Sequence, residues 1–177
     1  MLGRGLISIS DIPPISALDR HKVENAWFRD SYKARVSNQQ SSVIDNFFAI
    51  FGHRPWWMNR ILIIRNRIAH YCGLDVASNA EVTSMAIADS YKVGDTIGPW
   101  PIFALSATEL IAGRDNAHLD FRLSVLRVQE EYKPVIIVST ICNVHNLYGK
   151  IYLFFIIPFH KWGVQKLIAR AVEEGRL

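Results

Sequence analysis

Residues Ala117 to Val125, in the order Ala-His-Leu-Asp-Phe-Arg-Leu-Ser-Val, alternate polar and apolar side chains. That two-residue period belongs to a strand with one face against a core. An apolar run from Pro134 to Val144 follows, and then an aromatic-rich segment of helical character reaching Glu174. Two long strands feeding a terminal helix point to a curved antiparallel sheet wrapped around that helix. Such an arrangement encloses either a solid core or a pocket for an apolar molecule, and no motif in it specifies a chemistry.

With 177 residues the chain reads as one domain over 1–177, with 1–20 as an extended lead-in, large enough for a single core. A hydrophobic content of 50% against 20% charged excludes a disordered chain. The net charge of +4 is spread along the sequence without a basic run or a reader motif, so no nucleic-acid partner is expected. Cys72 and Cys142 lack metal or redox spacing and read as buried free thiols, which fits a reducing compartment. The amino terminus lacks the long apolar core of a signal peptide. The apolar run Ile151 to Phe159 is far shorter than the roughly 20 residues that cross a bilayer. The expectation is a cytoplasmic protein without a transmembrane segment.

Asp11-Ile12-Pro13-Pro14 reads as a turning lead-in. Between Trp27 and Val36 the pattern predicts a first strand with Tyr32, Ala34 and Val36 inward and Lys33 and Arg35 outward. Ser41-Ser42 caps a helix over Val43 to Phe51 that Gly52 ends. A second helix is predicted from Trp56 to Cys72, stopped by Gly73, while Leu74 to Ser90 has no readable pattern. Tyr91 to Pro99 reads as a strand end and turn. Strands over Trp100–Leu105, Glu109–Arg114 and Ala117–Val128 are joined by Ser106-Ala107-Thr108 and Asp115-Asn116, both hairpin-sized. Glu130-Glu131-Tyr132-Lys133 turns the chain into Pro134–Val144. Asn146 then caps a terminal helix reaching Glu174, in which Pro158 predicts a kink.

This order of strand, two helices, antiparallel meander and long terminal helix resembles the helix-grip fold of the START and Bet v 1-like superfamily. Several segments also resemble a family of bacterial domains of unknown function: Trp56-Trp57-Met58-Asn59-Arg60 with Arg65-Asn66-Arg67-Ile68, Tyr91-Lys92-Val93-Gly94-Asp95 with Ile97-Gly98, and His118-Leu119-Asp120-Phe121-Arg122. His145-Asn146 with Gly149, Tyr152, Pro158, Phe159 and His160 completes the set. The resemblance implies an α+β helix-grip domain, found free-standing or following a short-chain-dehydrogenase-like domain, with no agreed reaction. Without a Gly-x-Gly-x-x-Gly loop the chain looks like the free-standing form.

His118, Asp120, Arg122 and Ser124 project from one side of their strand. In the plain reading they form the outer, solvated face of a one-sided sheet. In the sharper one they line the grip, His118 exchanging a proton, Asp120 orienting it and Arg122 holding an anionic group. Arg60, Arg65, Arg67 and His70 read first as the wet side of the second helix and second as an anion-binding set, from which Arg67 is taken as a binding residue. Trp56 and Trp57 read first as packing and second as a pocket mouth. His145 and His160 lie about four helical turns apart and cannot share one metal ion, and no other pattern calls for a metal or cofactor.

The leading expectation is a small apolar or amphipathic ligand held between sheet and terminal helix, with Trp56, Trp57, Arg67, His118, Arg122, Tyr152, Phe155 and Phe159 as binding residues. Tyr152, Phe154, Phe155, Phe159 and Trp162 exceed what one buried helix face holds, so a cavity or a contact with a second copy is expected to absorb the excess. The alternatives are a cyclase-, dehydratase- or hydrolase-like enzyme using His118 and Asp120, or an interaction and dimerisation module.

Overall fold

Turn-forming residues divide the second half of the chain into hairpins, and the strands between them pair in sequence. The computed structural model describes residues 6–37, 40–53 and 90–177, together with positions 55, 58, 60, 63, 64, 66, 67 and 71. In chain order these residues form β1 (Ile7–Ile9), α1 (Arg20–Glu24), β2 (Phe28–Arg35), α2 (Val43–Phe51), β3 (Thr96–Ile97), β4 (Trp100–Leu105), β5 (Glu109–Asp115), β6 (Leu119–Glu130), β7 (Lys133–Val144) and α3 (Leu147–Glu173). Met58, Arg60, Ile63, Ile64, Asn66, Arg67 and Tyr71 are also helical, where the second helix was expected. Cys72, Gly73 and the unreadable stretch up to Asp89 lie outside the described residues.

Seven strands make one antiparallel sheet in the order β1-β2-β7-β6-β5-β4-β3, an α+β architecture in which the first long strand lies beside the last. The boundaries of β2 and of β4 to β7 agree with the expected ones to within two residues, the largest difference being in β6, which runs from Leu119 to Glu130 rather than from Ala117 to Val128. Local chemistry explains the turns. Ser106 Oγ accepts from the Thr108 and Glu109 amides between β4 and β5, and Asn116 Oδ1 accepts from the His118 and Leu119 amides between β5 and β6. Gly98, at φ 56°, occupies the first central position of the two-residue turn between Ile97 and Trp100.

The β6–β7 turn is less well matched to its residues. Glu131 and Tyr132 both adopt left-handed backbone, at φ 48° and 64°, and Tyr132 is 98% exposed. A two-residue turn with two left-handed positions favours Asn-Gly. The double substitution Glu131→Asn, Tyr132→Gly is therefore expected to stabilise the protein by about 1 kcal/mol. A urea midpoint at or below that of the wild type would refute it.

The sheet buries both faces. On one, Tyr32 and Ala34 of β2, Ile136 and Val138 of β7, Leu123 and Val125 of β6 and Leu110 and Ala112 of β5 pack against Phe47, Ile50, Val164, Leu167, Ile168 and Ala171 of the helices. The α2 cap is a reciprocal box in which Ser42 Oγ accepts from the Asp45 amide and the Asp45 carboxylate accepts from the Ser42 amide. A second apolar cluster on the same face, Phe28, Leu119 and Cys142 with Tyr152 and Leu153, lies under the first half of α3.

The opposite face corrects the expectation of a simply extended lead-in. Ile7–Ile9 pair with β2, and the chain then crosses the outer sheet surface, where Leu18 and Val23 pack on Ile111 and Ile141. α3 runs unbroken through Pro158 as one helix. It ends with Gly175 in left-handed backbone and with amide bonds from Arg176 to Ala171 and from Gly175 to Val172, and this turn directs Leu177 into the core.

Candidate functional site

Beside the two apolar clusters under the helices, which share Phe121 as a neighbour, β2 and β7 also point polar side chains inward. Asp30 of β2 lies directly across from Thr140 of β7, on the parity that points Tyr32, Ala34, Val138 and Cys142 toward α3. From α3, His160 reaches the same place: its Nε2 lies 3.5 Å from Asp30 Oδ2, and its ring stands edge-on to Phe28 at 5.5 Å between centroids. The Tyr32 hydroxyl donates to Asp30 Oδ2 at 3.1 Å and also meets Gln165 of α3. Two strands and one helix thus contribute to one polar cluster in an otherwise apolar interface.

Its polar capacity is only partly used. Among the described residues, Asp30 Oδ1, Thr140 Oγ1 and His160 Nε2 are buried and make no hydrogen bond. An unpaired buried polar atom costs about 1–3 kcal/mol, and most native interiors avoid it. Here one acceptor, one hydroxyl and one imidazole nitrogen are grouped together. They match a ligand bearing a hydroxyl, amide or carbonyl group, which could take one bond from each.

The surrounding groups are held neutral. Burial, with a smaller contribution from the nearby Asp30 carboxylate, pushes the Cys142 thiol up to about 12. It is therefore a poor nucleophile and packs as a small apolar side chain. Burial also raises the Tyr32 phenol to about 12, with the Gln165 hydrogen bond opposing the shift and Asp30 adding to it. Asp30 and His160 could contribute two donors to a metal ion, but no group of three His, Cys, Asp or Glu side chains capable of holding one occurs among the described residues.

The row on β6 lies elsewhere. Asp120, Arg122 and Ser124 share the parity of Leu126 and face away from α3, so they do not line the space between sheet and terminal helix. Nor is this face simply solvated, because the lead-in covers much of it. Arg122 is 8% exposed, forks onto the Asp115 carboxylate and stacks with its guanidinium carbon 3.5 Å from the Phe103 ring centre. The Arg122 hydrogen bonds, outweighing partial burial, hold the Asp115 carboxyl below its ordinary value. Asp120 accepts from His145 Nε2 at 2.9 Å and from Lys22 Nζ at 3.3 Å.

His118 belongs to the start of α3. Its Nδ1 lies within 3.2 Å of the Asn146 side chain, whose Oδ1 caps the helix at the Gly149 amide, and its ring stands edge-on to Tyr148. The helix approaches so closely here that a Cβ at position 149 would collide with the His118 carbonyl oxygen, which is why glycine is required. Of the other residues expected at a site, Tyr152 is buried beneath α3, while Phe155, Phe159 and Arg67 are exposed. Trp56 and Trp57 lie outside the described residues.

These features define an α+β domain in which an antiparallel sheet and a long helix bury a small polar cluster beside two apolar ones. The chain belongs to the family described as protein of unknown function (DUF2867), which it matches over residues 23–167. That span includes Asp30, Thr140, Cys142 and His160. No curated protein and no solved structure matches the chain.

Proposed function

We propose that this domain is a helix-grip binding protein that takes a small amphipathic molecule between its sheet and its terminal helix. The supporting topology is the first long strand beside the last, a meander returning across the sheet, and a long helix laid over one face. The observation that carries the reading is the grouping of Asp30 Oδ1, Thr140 Oγ1 and His160 Nε2, buried and without hydrogen bonds among the described residues, beside two apolar clusters. A ligand with one polar group and an apolar body satisfies the polar atoms and extends over the Phe28 and Leu153 side chains.

Two measurements test this. Thr140→Val conserves shape and removes an unpaired hydroxyl, so the empty protein is expected to gain about 1 kcal/mol while ligand retention falls. Native mass spectrometry of the protein from its own source is expected to find an added small-molecule mass on the wild type that is absent from Asp30→Leu. If the wild type carries no added mass, or both forms carry the same one, the reading fails.

The Asp30–His160 pair also favours a second reading, in which an acid–base enzyme works from this pair rather than from His118 and Asp120. It predicts that a molecule recovered from His160→Gln differs covalently from that recovered from the wild type.

A further inference from the structure

The first half of α3 is apolar on two opposite sides. One side carries Tyr152 and Leu153 into the core. The other carries Leu147, Tyr148, Ile151, Phe154 and Phe155, with Phe159 on its flank, all exposed and Phe154 at 69%. A contiguous aromatic stripe of this kind is unusual on a water-facing surface. Phe154 and Phe155 pack against each other in an edge-to-face pair and face solvent.

Charge selects what the stripe meets. From Tyr132 to Val172 the chain carries no Asp or Glu, while Lys150, Lys161, Lys166 and Arg170 lie along α3. Helical phase places Lys150 and Lys161 together along one edge of the stripe, and both are exposed. Against a second copy this surface would bring like charges together. Against anionic lipid headgroups the lysines are neutralised while the aromatic rings enter the boundary between headgroups and acyl chains. No helix among the described residues is long and apolar enough to cross a membrane, so contact through α3 is peripheral.

We propose that α3 docks this domain on the surface of an anionic bilayer, with the stripe from Leu147 to Phe159 inserted and Lys150 and Lys161 against the headgroups. The inference does not depend on the Asp30 site. The test is flotation of the full chain with phosphatidylcholine vesicles, with and without about one third phosphatidylglycerol. Wild type is expected to float with the anionic vesicles, to be released by salt, and to remain behind with the neutral ones. Phe154→Ser with Phe155→Ser is expected to lower the bound fraction at least roughly tenfold, and Lys150→Glu with Lys161→Glu to abolish the preference for phosphatidylglycerol. All four side chains are exposed, and unchanged urea midpoints check that the variants remain folded. Absence of flotation, or equal flotation of the serine variant, overturns the proposal. So does sedimentation showing a dimer that the serine pair dissociates while vesicles remain unbound, which assigns the stripe to self-association.

Discussion

Raising the pH from about 8 to about 11 is expected to reduce folding stability by roughly 4 kcal/mol through two side chains, Cys142 and Tyr32. Burial raises both in the folded state, to about 12, from ordinary values of 9.0 for the thiol and 10.0 for the phenol. Above those ordinary values the unfolded chain releases protons that the folded chain retains. The folded state then binds more protons, and stability falls with rising pH until about 12, where the buried groups ionise as well. Well below a pH of about 8 neither group contributes a slope. Cys142 accounts for roughly two thirds of the loss, because its window opens a pH unit earlier. Urea midpoints measured across this range under reducing conditions check the expectation. Cys142→Ala should be less stable at neutral pH, because it leaves a small cavity, yet show a distinctly flatter alkaline decline. An unchanged slope in that variant would mean that the thiol is not buried as described.

The strands were legible because turn chemistry punctuates them and because the pattern is strongly periodic where it matters. Ser106, Asn116 and Gly98 each place a hairpin through a bond or a backbone angle that a sequence reader can anticipate. The second buried face was not legible. Nothing local in residues 10–26 indicates that they cross the outer sheet surface, since that contact is made by Leu18 and Val23 with strands about ninety or more positions away. The row His118, Asp120, Arg122 and Ser124 reads as a site in the sequence, yet His118 meets the helix-capping Asn146, Asp120 accepts from Lys22 of the lead-in, Arg122 pairs with Asp115 and Ser124 donates to Glu109.

The polar cluster left a signal that an element-by-element reading passes over. Asp30 has the inward parity of Tyr32 and Ala34, and Thr140 has that of Ile136, Val138 and Cys142. Each is a polar residue on the apolar side of its strand, and the two meet only once the register of β2 and β7 is known. His160 is harder to place, because the first half of α3 carries apolar side chains on both its buried and its exposed sides and its phase against the sheet is fixed by packing. The same ambiguity leaves Phe155 and Phe159 among the expected binding residues, and in the structure both are exposed.

The largest single loss from the outer face is expected at Glu109. Its carboxylate is buried under the lead-in, where Oε1 accepts from the Ser16 and Ser124 hydroxyls and Oε2 from the Ala17 amide, all at 2.6 Å. Ser16 Oγ in turn accepts from the Leu18 amide, so one carboxyl group fixes the segment that carries Leu18 onto Ile111 and Ile141. Glu109→Ala leaves two buried hydroxyls and an amide without their acceptor and opens a void, at a cost of about 3 kcal/mol. Glu109→Gln keeps one acceptor oxygen but turns an NH2 toward at least one donor, and should cost roughly half as much. Urea denaturation reads the totals, and hydrogen exchange at Ala17 and Leu18 reads the place. Those amides should lose protection in Glu109→Ala while amides flanking Asp30 and Thr140 retain theirs, since the polar cluster lies on the opposite face of the sheet. A loss below about 1 kcal/mol with Ala17 still protected would mean that apolar packing alone holds the lead-in. Loosened amides around Thr140 would instead mean that the two faces of the sheet are coupled, and that the polar cluster is supported from behind by the segment covering the other side.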